Sequence, residues 1–222
     1  MLFGKRLRLF TLGDAKKLFT QPLKSKMNLK RLNKYHHDLN ISKTMQSQNL
    51  YFEPLTEAHA DNLFAVLTTP AVLAFINPKP PTFQEFKSEY AIRARGPVNS
   101  ILPTEQWFNM AILLKDRSAT AIGRLEATSY NGWGEVAYML GEIWWGKGLA
   151  FEAMQWWHKY LDLAIPKTEW WATVHPENQR SIRLLTRLGY KEVLGKQSIL
   201  QSEDVGDRCF VRSLDVSKER HN

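Results

Sequence analysis

The sequence predicts an α/β protein of the α+β type: a mixed, mostly antiparallel central sheet of about six or seven strands, flanked by helices and preceded by a basic N-terminal extension. Three observations predict it. Strand and helix patterns alternate along the chain from residue 49 onward. Within that alternation, consecutive segments between residues 107 and 140 switch to a period of two, which is the pattern of an antiparallel meander. Positive charge is concentrated ahead of the patterned region. Residues 1–50 hold 11 Lys and Arg against Asp14 and Asp38, so this stretch carries +9 where the whole chain carries +8, and residues 51–222 carry −1.

A chain of 222 residues, 44% of them hydrophobic, is long enough for one well-cored domain with an appendage. The boundaries expected are 1–48 for the extension, 49–215 for the domain and 216–222 for a tail. Cys209 is the sole cysteine, which excludes an intramolecular disulfide and a cysteine-based zinc cluster. No window approaches the ~18 consecutive apolar residues of a membrane-spanning helix. The expectation is a soluble, cytoplasmic protein. The extension has three readings: an arm for anionic partners such as RNA, the ribosome or lipid head groups through residues 1–44, a transit peptide, or a stretch upstream of a true start at Met27 or Met45. Lys outnumbers Arg eight to three there, which fits a transit peptide poorly. His36 and His37 read as solvated tail.

"NLYFEP" is a short strand stopped by Pro54. Thr56 is placed to cap a helix whose apolar residues Ala60, Leu63, Phe64 and Leu67 have helical spacing, and a short helix follows Pro70. Thr82 and Glu85 form a capping-box pattern ahead of a helix carrying Phe86 and Tyr90. "WFNMAILL" (107–114) and "TAIGRLE" (120–126) alternate as strands, and Asn131-Gly132 turns the chain into a third, "EVAYML". After a glycine-rich loop, Leu149, Ala150, Ala153, Met154, Trp157 and Leu161 mark a long amphipathic helix. His158 and His175 have no visible partner and read as surface or loop residues. "TEWWATV" is the next strand, residues 178–188 the next helix with Gly189 closing it, and strands near 190–200 and 208–214 complete the order.

The loop "GEIWWGKG" resembles a P-loop, with Gly141, Gly146 and Lys147 in place. Gly148 stands where a Ser or Thr hydroxyl would bind Mg²⁺, and Ile143-Trp144-Trp145 is bulky where a tight phosphate wrap takes small residues, so an NTPase is disfavoured. The setting of strand, loop and helix N-terminus still suits an anion, because unpaired N–H groups and the helix dipole favour phosphate.

"WGKGLAFEA", followed some thirty residues later by "NQRSIRLLTRLGY", resembles the GNAT superfamily of acyl-CoA-dependent N-acetyltransferases, in particular the RimJ and RimL branch that acetylates ribosomal-protein N-termini. The resemblance covers about residues 49–214. It implies the GNAT fold, acetyl-CoA as cosubstrate without a metal, and direct attack in a ternary complex by an amine, expected to be a protein N-terminal α-amine; the alternatives are a small-molecule amine, or a non-catalytic CoA-binding or ribosome- or RNA-associated module. The family's Q/R-x-x-G-x-G/A pattern implies that Trp145, Gly146, Lys147, Gly148, Leu149 and Ala150 hold the coenzyme A pyrophosphate, with Trp145 in place of the usual Gln or Arg. Asn178 matches the residue for the pantetheine arm, and Ser181 one that reaches the thioester sulfur. Many relatives carry a Tyr acid where this chain has Leu185. Glu135 is the candidate base by analogy with members that carry a catalytic Glu at the start of the fourth strand, with Glu126 in reserve. Tyr138 and Trp133 are candidates to line the amine channel, and Glu152 is expected to match the helix dipole.

Overall fold

The computed structural model of the chain describes residues 45–76, 79–97, 104–116, 120–193 and 206–213. The readings made for residues 1–44 and 216–222, and for most of the strand expected near 190–200, lie outside these residues. The domain is a seven-stranded sheet in the order β1-β2-β3-β4-β5-β7-β6. The strands are β1 (Leu50–Pro54), β2 (Gln106–Leu114), β3 (Ala121–Ser129), β4 (Trp133–Leu140), β5 (Glu169–Val174), β6 (Lys191–Val193) and β7 (Arg208–Arg212). All pairings are antiparallel except β4 with β5, which is parallel. Helices α1 (His59–Leu67), α2 (Pro70–Leu73) and α3 (Phe83–Arg95) follow β1, α4 (Leu149–Ala164) connects β4 to β5, and α5 (Gln179–Arg187) follows β5.

Alternation along the strands separates two cores. Phe108, Met110 and Ile112 of β2, with Val136 and Leu140 of β4, face α4 and α5, where they meet Met154, Trp157, Leu161, Ile182 and Leu185. Ala111 and Leu113 turn the other way and pack with Leu63, Leu67, Phe86 and Tyr90 of α1 and α3. Trp157 is fully buried; truncating such a residue to Ala costs about 3–5 kcal/mol.

The capping box expected at α3 is present. The Thr82 hydroxyl accepts from the Glu85 N–H, and Glu85 Oε2 accepts from the Thr82 N–H at 2.8 Å. The expected cap of α1 is not. Ala58 is the N-cap, and the Thr56 hydroxyl instead lies 2.8 Å from His59 Nδ1, which also accepts from the Thr56 N–H at 3.0 Å. A turn through Glu57 and Ala58, closed by the His59 N–H donating to the Thr56 carbonyl at 3.2 Å, precedes the helix, and the His59 ring reaches back as a capping-box acid would.

His158 is a second correction. It is 4% exposed, inside the protein. Its position is one helical turn from both Met154 and Leu161, on the buried stripe of α4. Its Nε2 lies 3.2 Å from the buried Tyr190 hydroxyl, and burial, joined by the charge of Arg212, pushes its pKa down to about 3.

Met45–Gln48 are tied to this fold. Met45 packs against the α4-side core, and the Phe52 N–H donates to the Met45 carbonyl at 2.9 Å. Glu152 does more here than complement a helix dipole. Its carboxylate accepts from the Ser47 hydroxyl at 2.7 Å, the Asn49 backbone N–H at 2.6 Å and the Asn49 side chain at 2.9 Å. It fastens the entry of β1 to α4.

Candidate active site

Strands β4 and β5 pair only at one end. Trp133, Gly134 and Glu135 lie against Glu169, Trp170 and Trp171, and from Val136 and Ala172 onward the two strands no longer pair with each other, while β4 stays on β3 to Leu140 and β5 on β7 to Val174. The result is a V that opens toward the C-terminal ends of both strands. Gly134 makes its closed end possible. A Cβ there would overlap the Trp170 ring and lie 2.7 Å from the Thr128 carbonyl oxygen. Such a parted pair in a sheet leaves backbone groups and a crevice for a ligand.

The glycine-rich loop follows β4 at the open end. After a single 3₁₀ turn over Glu142–Trp144, Gly146 and Gly148 take left-handed conformations with φ of 74° and 78°. These angles favour glycine, and around either residue an added Cβ would meet nothing within 4 Å, so the loop faces open space. Gly148 is the N-cap of α4 and has no side chain to cap it; the first helical bond runs from the Glu152 N–H to the Gly148 carbonyl at 3.0 Å. The amides ahead of that bond, on Leu149, Ala150 and Phe151, lie at a helix N-terminus where the dipole favours an anion. Lys147 is exposed beside them. The loop therefore fits a pyrophosphate.

Asn178 and Ser181 come next along the open V. Asn178 is the N-cap of α5, and its Oδ1 accepts from the Ser181 N–H at 3.2 Å, leaving its amide NH₂ as the donor for a ligand. The Ser181 hydroxyl lies 2.9 Å from the Tyr138 hydroxyl, across from β4. Burial pushes the Tyr138 phenol above its ordinary range, with the Ser181 hydrogen bond working against that rise. Tyr138 thus stays protonated through neutral pH. When it donates to Ser181, the serine's own proton is left to point into the V. Leu185 is buried in the core, so the phenol nearest Ser181 comes from β4 and not from α5.

Glu135 projects from the opposite face of β4, the side of α1 and α3. The Thr173 hydroxyl donates to its Oε1 at 3.5 Å, reaching across from β5. Glu126 lies on the same face, but two guanidinium groups engage it. Arg93 Nη1 is 2.9 Å from Oε2, and Arg124 Nε is 2.7 Å from Oε1 without its N–H aimed there, a charge pairing with no hydrogen bond. Glu89 completes this buried cluster through Arg93 at 2.6 Å and Arg124 at 3.3 Å. Spacing along the sequence missed it, because its members come from α3 and β3. Trp133 stacks on Tyr130 at the closed end of the V, with ring centroids 4.3 Å apart, away from the opening. His175, at the end of β5, stacks on Phe75 at 5.2 Å. Among the described residues, no group of three His, Cys, Asp or Glu could hold a metal ion, and no helix is long and apolar enough to cross a membrane.

Residues 49–191 match the family model described as "Acetyltransferase (GNAT) domain". No curated protein matches the chain. Solved structures share its fold. An acetyltransferase (GNAT family) from Bacillus anthracis aligns with a TM-score of 0.60 at 14% identity, over 76% of this chain and 97% of its own. Aminoglycoside acetyltransferase AAC(6')-Ib in complex with coenzyme A aligns with a TM-score of 0.58 at 15% identity, over 78% of this chain and 99% of its own. The same enzyme in complex with paromomycin and acetyl-CoA gives 0.60 at 15% identity, over 79% and 99%.

Proposed function

The chain belongs to the acetyltransferase (GNAT) family and is an acyl-CoA-dependent N-acetyltransferase with acetyl-CoA as cosubstrate; on that premise we propose that it acetylates a protein N-terminal α-amine by direct attack in a ternary complex. The observation that carries the reading is the two-sided opening between β4 and β5. The phosphate loop, Asn178 and the Tyr138–Ser181 pair lie on the α4 and α5 side, while Glu135 lies on the other. Donor and amine then approach from opposite faces and meet where the strands part.

In this reading Gly146 to Ala150 hold the pyrophosphate through backbone N–H groups, with Lys147 adding charge and the Asn178 amide holding the pantetheine arm. The amine lone pair attacks the thioester carbonyl carbon, and the C–S bond breaks. The ammonium proton passes to Glu135 directly or through a water, and the departing sulfur is stabilised by the Ser181 hydroxyl. Two guanidinium groups hold Glu126 on the α3 side, whereas Glu135 stands where β4 and β5 part, beside Thr173, and is the base in this reading.

The preference for an α-amine follows from its pKa. Neutralising an α-amine at pH 7 costs about 1.4 kcal/mol, whereas a lysine costs about 4.6 kcal/mol, which is harder for one carboxylate to supply. This agrees with the RimJ/RimL-like motif, a cytoplasmic setting and a role for the basic residues 1–44 in contacting ribosomal RNA. Binding to RNA that weakens with salt and disappears when residues 1–44 are removed is the expected outcome for that arm. A small amine is the second reading, favoured by the likeness to the aminoglycoside acetyltransferase complexes. Thiol release from acetyl-CoA, measured at pH 7 with free-N-terminal peptides, N-blocked lysine peptides and aminoglycosides, separates the acceptors. Turnover with the first set alone is expected. Turnover confined to aminoglycosides establishes the second reading.

A further inference from the structure

Trp145 occupies the place where the resembled motif carries Gln or Arg, so the loop lacks the polar or charged side chain of that position. The indole is firmly held. Its Nε1 donates to the Leu140 carbonyl at 2.7 Å, and its ring packs against both cores at the end of β4. Over the remaining face lies the guanidinium of Arg180, its central carbon 4.5 Å from the ring centroid. Arg180 is exposed and sits in the first turn of α5, between Asn178 and Ser181. Among the described residues it has no ion-pair partner. A guanidinium stacked on an indole keeps its N–H groups free at its edges, which is the arrangement suited to phosphate.

We propose that Arg180, positioned by Trp145, is a cationic ligand for the phosphates of the acyl-CoA donor, so that the polar contact a Gln or Arg would make from the loop is supplied by the neighbouring helix. This deepens the reading above and rests on acetyl-CoA as the donor. Arg180, Lys147 and the amides at the start of α4 then surround the phosphates from three elements. Trp145 acts only through the guanidinium it orients.

The test is acetyl-CoA affinity by titration calorimetry at two salt concentrations, with turnover of acetyl-CoA compared with S-acetylpantetheine, which has the same thioester and no phosphate. Arg180→Gln is expected to raise the Kd for acetyl-CoA about tenfold, to flatten its salt dependence and to lower the ratio of kcat/KM for acetyl-CoA over acetylpantetheine by a similar factor. Arg180→Lys should recover part of the loss. Trp145→Ala should weaken binding in the wild-type background and add little to Arg180→Gln, whereas Trp145→Phe, which keeps an aromatic face, should lose less. An unchanged Kd and salt dependence in a folded Arg180→Gln protein overturns the proposal. So does an equal loss with both thioesters, which marks a purely structural role. A wild-type chain that binds no acetyl-CoA overturns the donor assignment, and this proposal falls with it.

Discussion

Glu135 and the Tyr138–Ser181 pair lie on opposite sides of β4, and the role of Glu135 should show itself in kinetics. Glu135→Gln keeps the shape and removes the base. Turnover at pH 7 should fall by roughly 10²-fold with little change in acetyl-CoA affinity, and the gap should narrow toward pH 9, where an α-amine is already neutral. A uniform loss at every pH would assign Glu135 to substrate orientation. His158 makes a different prediction. Its folded pKa of about 3 lies below the ordinary 6.5, first because of burial and then because of Arg212. The unfolded chain therefore binds more protons between these values, and stability falls as pH drops through that window, by at most about 1.4 kcal/mol per pH unit from this group. Urea unfolding at pH 7, 6 and 5 should show this slope, and His158→Gln should flatten it. Motif spacing made Ser181 and Asn178 legible in the sequence. The partnership of Ser181 with Tyr138 was not legible, because it joins residues 43 apart through folding alone. The burial of His158 had a local signal in its spacing from Met154 and Leu161, but the apolar stripe hid a polar residue that needed Tyr190 to settle it.

Gly134 sets how closely β4 and β5 approach at the closed end of the V. An added methyl would overlap Trp170 and the Thr128 carbonyl. Gly134→Ala should destabilise the protein by about 1–3 kcal/mol, as overpacking of a filled site does, and lower the affinity for acetyl-CoA as the strands shift; denaturant unfolding and calorimetry measure the two effects. An alanine accommodated without loss of either would remove Gly134 from this role. The meander β2-β3-β4 was readable from period-two alternation and Asn131-Gly132, although β3 runs on to Ser129 and β4 starts at Trp133. The parallel pairing of β4 with β5 leaves no local trace, since α4 intervenes and both strands simply read as apolar and aromatic. The start of α1 was misplaced for a similar reason: Thr56 has the chemistry of a cap, but the imidazole of His59 takes its hydroxyl first.

Charge segregation and the element order together made the architecture legible, because the sheet's neighbours mostly follow the chain and residues 51–222 are nearly neutral. Met45 packs against the core and its carbonyl accepts from the Phe52 N–H, so a shortened chain that begins at Met45 keeps these two anchors of β1. Such a chain should unfold in one cooperative transition and bind acetyl-CoA as the full chain does. Loss of that transition would extend the folded unit upstream. The acceptor was the least legible property, since motif and fold both concern the donor half of the reaction. It is also what a direct product analysis decides. Purified full-length protein is incubated with acetyl-CoA and a mixed library of free-N-terminal peptides, lysine peptides and small amines, and the products are identified by mass spectrometry. Peptides carrying one acetyl group on the N-terminal nitrogen are the expected result; an unmodified library with acetyl-CoA intact would refute the assigned activity.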